Sequence, residues 1–206
     1  KSHGQIYAEM LGVAPGKPHL PRERASERFA EAFAHRNELA EHGPVVGLNT
    51  GAGGRWQSKA LPVQRVADLV LSLSQTLDGH VTFLLLGGPD EAARNAAILE
   101  SVGRLARIVD AGTQNPLLDF AALVSRCDVL LTSDSLALHV GVARDVRTVA
   151  FFAPTSAAEI DLYGRGEKVV STAPDACSYR ADADTSTLTV ERLSAALLRQ
   201  IELARP

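Results

Sequence analysis

Residues 130–143 read L-L-T-S-D-S-L-A-L-H-V-G-V-A. Cys127 and Asp128 lead into a short apolar run, Val129, Leu130 and Leu131, with the character of a strand buried on both faces. Thr132, Ser133, Asp134 and Ser135 break that run, and residues 136–143 are then apolar at helical spacing. Asp and Ser favour helix starts, because a short side-chain oxygen accepts a backbone N–H that has no partner in the first turn. A strand end and a helix start this close together aim several amides at one point. The helix dipole makes that point partly positive, so an anion fits there, phosphate above all.

Outward from this stretch the same alternation repeats. Residues 45–48 read as a strand, followed by the loop N-T-G-A-G-G-R-W-Q-S-K and an amphipathic helix over 63–77 through Val63, Val66, Val70, Leu73 and Leu77. Residues 81–86 form a continuous apolar strand stopped by Gly87-Gly88-Pro89. A helix follows over 90–102, with Asp90 and Glu91 in its first turn where the dipole favours acids. A short strand spans 107–109, and Asn115-Pro116 opens a helix with Asn as cap and Pro at the first position. Strands at 147–152 and 168–170 come next. The last helix starts at Thr189, with Leu188 and Leu193 placed as a hydrophobic staple, and runs to Pro206.

Doubly buried strands that each feed a helix predict an α/β fold: a parallel sheet with helices on both faces. Such sheets bind ligands beyond the carboxyl ends of their strands. Here those ends carry residues 50–54, the Gly87-Gly88-Pro89 stop, residues 132–135 and Ala153-Pro154-Thr155. Every unusual cluster lies on one edge, and that edge is the expected site.

Upstream, residues 1–21 contain three glycines, three prolines and one apolar patch over 6–11, the composition of a linker with a short helix. Residues 22–42 predict a longer helix with Ala25, Phe29, Ala32, Phe33 and Ala40 on one face, ended by Gly43-Pro44. The expected division is therefore a linker and helix over 1–44 and a domain over 45–206, in a chain read as a piece of a longer protein. Composition narrows the function. Lys plus Arg number 21 against 24 Asp plus Glu, a net charge of −3 with both signs scattered, which lacks the basic stripe of a nucleic-acid surface. No apolar run has the length of a membrane span. Cys127 and Cys177 are not spaced as metal ligands and read as free thiols in a reducing compartment, and no spaced acids suggest a metal; no cofactor is expected.

Several residues are candidates for the site. The loop over 49–59 has three glycines, which permit close backbone approach, and either Arg55 or Lys59 can reach a diphosphate. The loop is neither a P-loop nor G-x-G-x-x-G. Glu91 is a helix-start acid or a carboxylate for ribose hydroxyls. Asp134 is a cap by default, or a partner for sugar hydroxyls, but not for phosphate. His139, amid Leu138, Val140 and Val142, is a core histidine or faces the same pocket as Asp134.

The order of a glycine-rich loop ending K-A-L-P, then L-L-L-G-G-P-D-E, then V-L-L-T-S-D-S-L-A-L-H, then F-F-A-P-T resembles the carboxyl-terminal half of the ADP-heptose:lipopolysaccharide heptosyltransferases, glycosyltransferase family 9. The resemblance covers about residues 45–166. It implies the second, donor-binding Rossmann-like domain of a GT-B enzyme, with the helices before it as interdomain linker. By resemblance, Lys59 matches a lysine on the donor phosphates, Glu91 an acid on the nucleotide ribose, and Asp134, Ser135, Leu136, Ala137 and His139 the donor-binding turn, with Thr50 and Gly51 flanking the phosphates. The chain departs from the family at Leu136, where Gly usually follows D-S or D-T, and at Leu61-Pro62, where an aromatic-Pro pair is expected.

The implied function is donor binding, an ADP-heptose-like nucleotide-diphospho-sugar being transferred to a lipopolysaccharide-core or related glycan. The base would be an Asp of the missing amino-terminal domain, leaving no catalytic residue in this fragment, which alone would be inactive. The glycolipid acceptor would be held through that domain, in a cytoplasmic protein peripheral to the inner membrane. The alternative is a non-catalytic nucleotide-binding module or degenerate relative of the same fold, which Leu136 makes plausible. A nucleotide-sugar epimerase fits less well, for want of catalytic acids.

Overall fold

In the computed structural model, which describes residues 1–53 and 56–205, the chain forms a single six-stranded sheet preceded by two helices. The strands are β1 (Val45–Asn49), β2 (Thr82–Leu85), β3 (Ile108–Asp110), β4 (Val129–Ser133), β5 (Arg147–Phe152) and β6 (Gly166–Val170). The helices are α1 (His3–Leu11), α2 (Arg24–Arg36), α3 (Val63–Thr76), α4 (Ala92–Val102), α5 (Leu117–Val124), α6 (Leu136–Ala143) and α7 (Val190–Ala204). All neighbouring strands pair parallel, in the order β3-β2-β1-β4-β5-β6. The chain winds outward from β1 to β3, returns to the other side of β1 at β4, and winds outward again. That reversal leaves a gap between the loops that follow β1 and β4, the switch point where open α/β sheets bind ligands.

Strand periodicity explains the two-sided core. Val46 and Leu48 of β1, Phe83 and Leu85 of β2, Val129 and Leu131 of β4, and Val149 and Phe151 of β5 all enter one apolar layer, which α3, α4 and α7 cover. The alternate residues Val45, Leu84 and Leu130 enter the opposite layer, beneath α2, α5 and α6. The central strands β1, β2 and β4 have no solvent face, which is why they are mostly apolar. The edge strands β3 and β6 are partly exposed and carry Asp110, Glu167 and Lys168. Ser2 and Gln5 form a capping box at the start of α1. Leu188 and Leu193 are both fully buried around the Thr189 cap of α7, as a staple requires.

Local expectations fail in three places, each for a physical reason. The expected 22–42 helix ends at Arg36, and residues 37–42 are turns ahead of Gly43. Its buried face is Ser26, Ala30 and Phe33 rather than Ala25, Phe29 and Ala32, which are exposed. Small Ser26 and Ala30 let α2 approach closely, and Glu27 on that side is bonded by Arg22 and by Arg144, with Arg126 also beside it. Arg144 is held below the usual guanidinium pKa by burial, an effect that Glu27 opposes. At α5 the cap position is Pro116, and no side chain caps it. Asn115 instead donates back to the carbonyls of Ala111 and Gly112 at 2.9 and 3.1 Å, closing the turn after β3. The helix expected from residue 90 begins as a 3-10 turn, Pro89–Glu91, in which the Glu91 carboxylate accepts from the Gly88 amide.

Candidate functional site

A crevice of about 570 Å³ opens at the switch point, within the range of small-ligand sites. Of the residues singled out from the sequence, Gly51, Lys59, Glu91, Asp134, Ser135, Leu136 and Ala137 line it. Thr50 and His139 do not. Thr50 is buried, and its hydroxyl accepts from Arg94 Nη2 at 3.1 Å. His139 is neither in the core nor in the crevice: it is exposed, three residues after Leu136 along the outer ridge of α6. Gly54 and Arg55, the latter the second candidate cation, lie outside the described residues.

The two loops at the switch point are joined by an ion pair. Lys59 Nζ donates to Asp134 Oδ2 at 2.9 Å and to the Asp134 carbonyl at 2.8 Å, with the two side chains 18 % and 19 % exposed. The Asp134 carboxylate is thus turned to Lys59 and does not cap α6. The N-cap position is Ser135, whose hydroxyl hydrogen-bonds the Thr132 hydroxyl at 3.1 Å, so no side chain caps the helix. The first-turn amides of α6 therefore face the crevice without a side-chain acceptor, an arrangement that suits a ligand oxyanion. The ammonium also lies 5.6 Å from the centre of the Trp56 ring, within cation–π range.

Glu91 has a role the sequence did not suggest. Its Oε1 accepts from the Gly53 amide at 2.7 Å and its Oε2 from the Gly88 amide at 2.8 Å, so one carboxylate ties together the glycine loops after β1 and β2. This also explains two of the glycines. A Cβ at Gly51 would stand 2.4 Å from Glu91 Cγ, and one at Gly87 would stand 2.9 Å from Glu91 Cβ. Both positions are kept bare by the acid's own packing. Each oxygen retains lone-pair capacity toward the crevice.

Apolar side chains that the sequence did not single out line the crevice as well. Trp56, Leu117 and Phe120 are among them, together with Asn115. The signal was available, because Asn115 and Leu117 follow β3 and so fall on the same carboxyl edge as the other clusters. Trp56 is the single tryptophan of the chain and stands in the predicted loop. Leu136, at the start of α6, is 62 % exposed and projects into the crevice region instead of the core. Among the described residues, the one group of three possible metal-ligating side chains is Glu38, Glu41 and His42. All three are exposed in the turns before β1, on the opposite edge of the sheet.

The strand order and the position of the crevice define a Rossmann-like α/β domain. The family model of glycosyltransferase family 9 (heptosyltransferase) matches residues 5–190, and the chain belongs to that family. A putative glycosyltransferase of Haemophilus influenzae is 25 % identical over 141 residues, which are 68 % of this chain and 39 % of that protein. Among solved structures, a family 9 glycosyltransferase from Veillonella parvula superposes with a TM-score of 0.81 at 19 % identity, over 98 % of this chain and 61 % of that one. The ADP-heptose lipopolysaccharide heptosyltransferase II of E. coli gives 0.69 at 20 % identity, over 92 % and 55 %. The E. coli heptosyltransferase WaaC with ADP gives 0.61 at 18 % identity, over 98 % and 55 %. At these identities the structural likeness speaks for the fold. The chain spans between 39 % and 61 % of the length of these relatives.

Proposed function

We propose that this chain is the donor-binding half of a two-domain glycosyltransferase, with residues 1–44 as linker and 45–206 as the nucleotide-sugar domain. The observation that carries the reading is the meeting of the uncapped start of α6 with Lys59 in one crevice at the switch point. Transfer from a nucleotide-diphospho-sugar requires the departing diphosphate to be stabilised. Helix amides and an ammonium supply that stabilisation, while the apolar side chains of Trp56, Leu117 and Phe120 offer surface for a flat base. Glu91 keeps acceptor capacity for ribose hydroxyls, and Thr50, Gly51, Ser135, Ala137 and His139 belong to the elements that frame the donor.

The donor is taken to be an ADP-heptose-like sugar and the acceptor a lipopolysaccharide-core glycan. The E. coli relatives are named for such chemistry, and this chain carries the family's order of motifs. The acceptor surface and the general base are assigned to the other domain, in a cytoplasmic enzyme that meets the membrane peripherally. Among the described residues no helix is long and apolar enough to cross a membrane. Calorimetry of the chain with ADP, GDP and UDP tests the site: ADP binding is expected, and no heat for any of the three at millimolar concentration would refute it. A second reading, a nucleotide-binding module without transferase activity, draws on Leu136 standing exposed where a bare backbone would leave more room for a sugar. Assaying the longer protein with an ADP-sugar and a lipid A-core acceptor separates the two, since only the first reading expects turnover.

A further inference from the structure

The chain between β1 and α3 is a loop with a narrow neck. Leu61 donates its amide to the Thr50 carbonyl at 3.1 Å, which brings the two ends of the segment together. Between them lie Gly51, Gly53, Trp56 and Lys59. The far side of the segment is pinned at Ser58, whose amide and hydroxyl donate to the carbonyls of Ala181 and Arg180, each at 3.0 Å. The near side is gripped from α4. Arg94 Nη2 donates to the Thr50 hydroxyl at 3.1 Å and to the Leu61 carbonyl, one residue on each side of the neck. Glu91, three residues earlier, holds the Gly53 amide at 2.7 Å.

We infer that Arg94 is a positioning residue: together with Glu91 it clamps the neck of residues 50–61, so that Lys59 and Trp56 are delivered to the crevice in a fixed geometry. Both Arg94 bonds leave the same terminal nitrogen, whose two N–H groups diverge in the fixed plane of the guanidinium. An ammonium on a flexible stem is instead a point charge without fixed directions. The division of labour on this helix start is by charge sign. The acid takes an N–H of the loop, that of Gly53, and the guanidinium takes two of its oxygens. Neither spends its hydrogen bonds on the other, although they are close enough for Glu91 to support the charge of Arg94. Arg94 does not line the crevice, so its effect on a ligand must pass through the loop.

The test uses Trp56, the single tryptophan, as a reporter that needs no ligand. In Arg94→Met the emission should shift to the red and acrylamide quenching should rise, with far-UV circular dichroism unchanged. Arg94→Lys keeps the charge but loses the reach and the fixed directions of the two donors, so it should restore melting temperature while leaving Trp56 more quenchable than in the parent. The affinity arm alone rests on the proposed donor site. There ADP binding should weaken on the order of tenfold in Arg94→Met, the size of one misplaced charge-assisted hydrogen bond. The Lys59→Ala/Arg94→Met double variant should lose less affinity than the sum of the two single losses, because the clamp acts in part through Lys59. Parent-like quenching in folded Arg94→Met, or in Arg94→Lys where the Met variant does not fold, would overturn the clamp; so would losses that add in the double variant. A parent chain that ignores ADP yet shows the Trp56 changes would refute the donor reading and leave the clamp standing.

Discussion

Asp134→Asn probes the centre of the site. In the free chain the Lys59 ammonium is bonded to the Asp134 carboxylate at 2.9 Å, with about a fifth of each side chain exposed. Exposed pairs contribute ~0.2–1 kcal/mol, and breaking a buried one costs ~3–5 kcal/mol. This pair lies between those limits, nearer the exposed one because water reaches both groups, so about 1–2 kcal/mol is reasonable. A diphosphate that needs the ammonium must share it with, or take it from, Asp134, and it also meets the carboxylate's own negative charge. Asn keeps the shape and removes the charge. The bare diphosphate should therefore bind about 5–30-fold more tightly, the same 1–2 kcal/mol expressed as affinity. Folding stability should fall by a similar amount, as Lys59 is left with a carbonyl and a neutral amide. If Asp134 also accepts a sugar hydroxyl, the gain should be smaller for an ADP-sugar than for ADP. Calorimetry with both ligands and urea unfolding of both proteins measure every quantity. Unchanged or weaker ADP binding in Asp134→Asn would refute the idea that Asp134 competes for Lys59.

Other expectations follow from particular contacts. Leu136→Gly should admit a bulkier nucleotide-sugar with little change in affinity for the bare diphosphate, read by competition binding with a panel of donors; an identical donor preference in both proteins would mean that Leu136 does not border the sugar. Leu130→Ala should cost ~2–5 kcal/mol in chemical denaturation, since Leu130 is fully buried at the centre of the sheet against Gly47 and Gly141. Glu167 is held below the usual carboxylate range, chiefly by its hydrogen bond from Arg199. Its folded pKa is depressed, so its contribution is complete above the ordinary glutamate value and is lost as pH falls through the lower folded value. Glu167→Gln should therefore be less stable than the parent near neutrality, by ~0.2–1 kcal/mol for so exposed a pair, and the two should converge as the parent is acidified below that range. A difference that persists at acid pH would refute the assignment.

The sequence alone determined the strand count, the parallel sheet and the edge on which the crevice lies. A doubly buried strand must be apolar at every position, a turn into a helix needs polar and small residues, and both requirements are local. The V-L-L-T-S-D-S stretch thus marked β4 and the start of α6 to within two residues. Which side chain meets which partner was decided by the tertiary structure. Nothing local distinguishes Asp134 as a helix cap from Asp134 as the partner of Lys59, because the two are 75 residues apart in the chain. Gly51 looked like room for a ligand and is room for Glu91, 40 positions away. The buried face of α2 was misread by about one residue, because apolarity pointed to Phe29 whereas close packing on α5 selected the small side chains of Ser26 and Ala30. His139 had the neighbours of a core residue and the spacing of a surface one. The packing of α6 put it outside, since Leu138, Val140, Gly141 and Val142 already fill the contact with the sheet and its neighbouring helices. Pattern fixes what each element is, but long-range contacts fix its rotation, and rotation decides which residues reach the crevice.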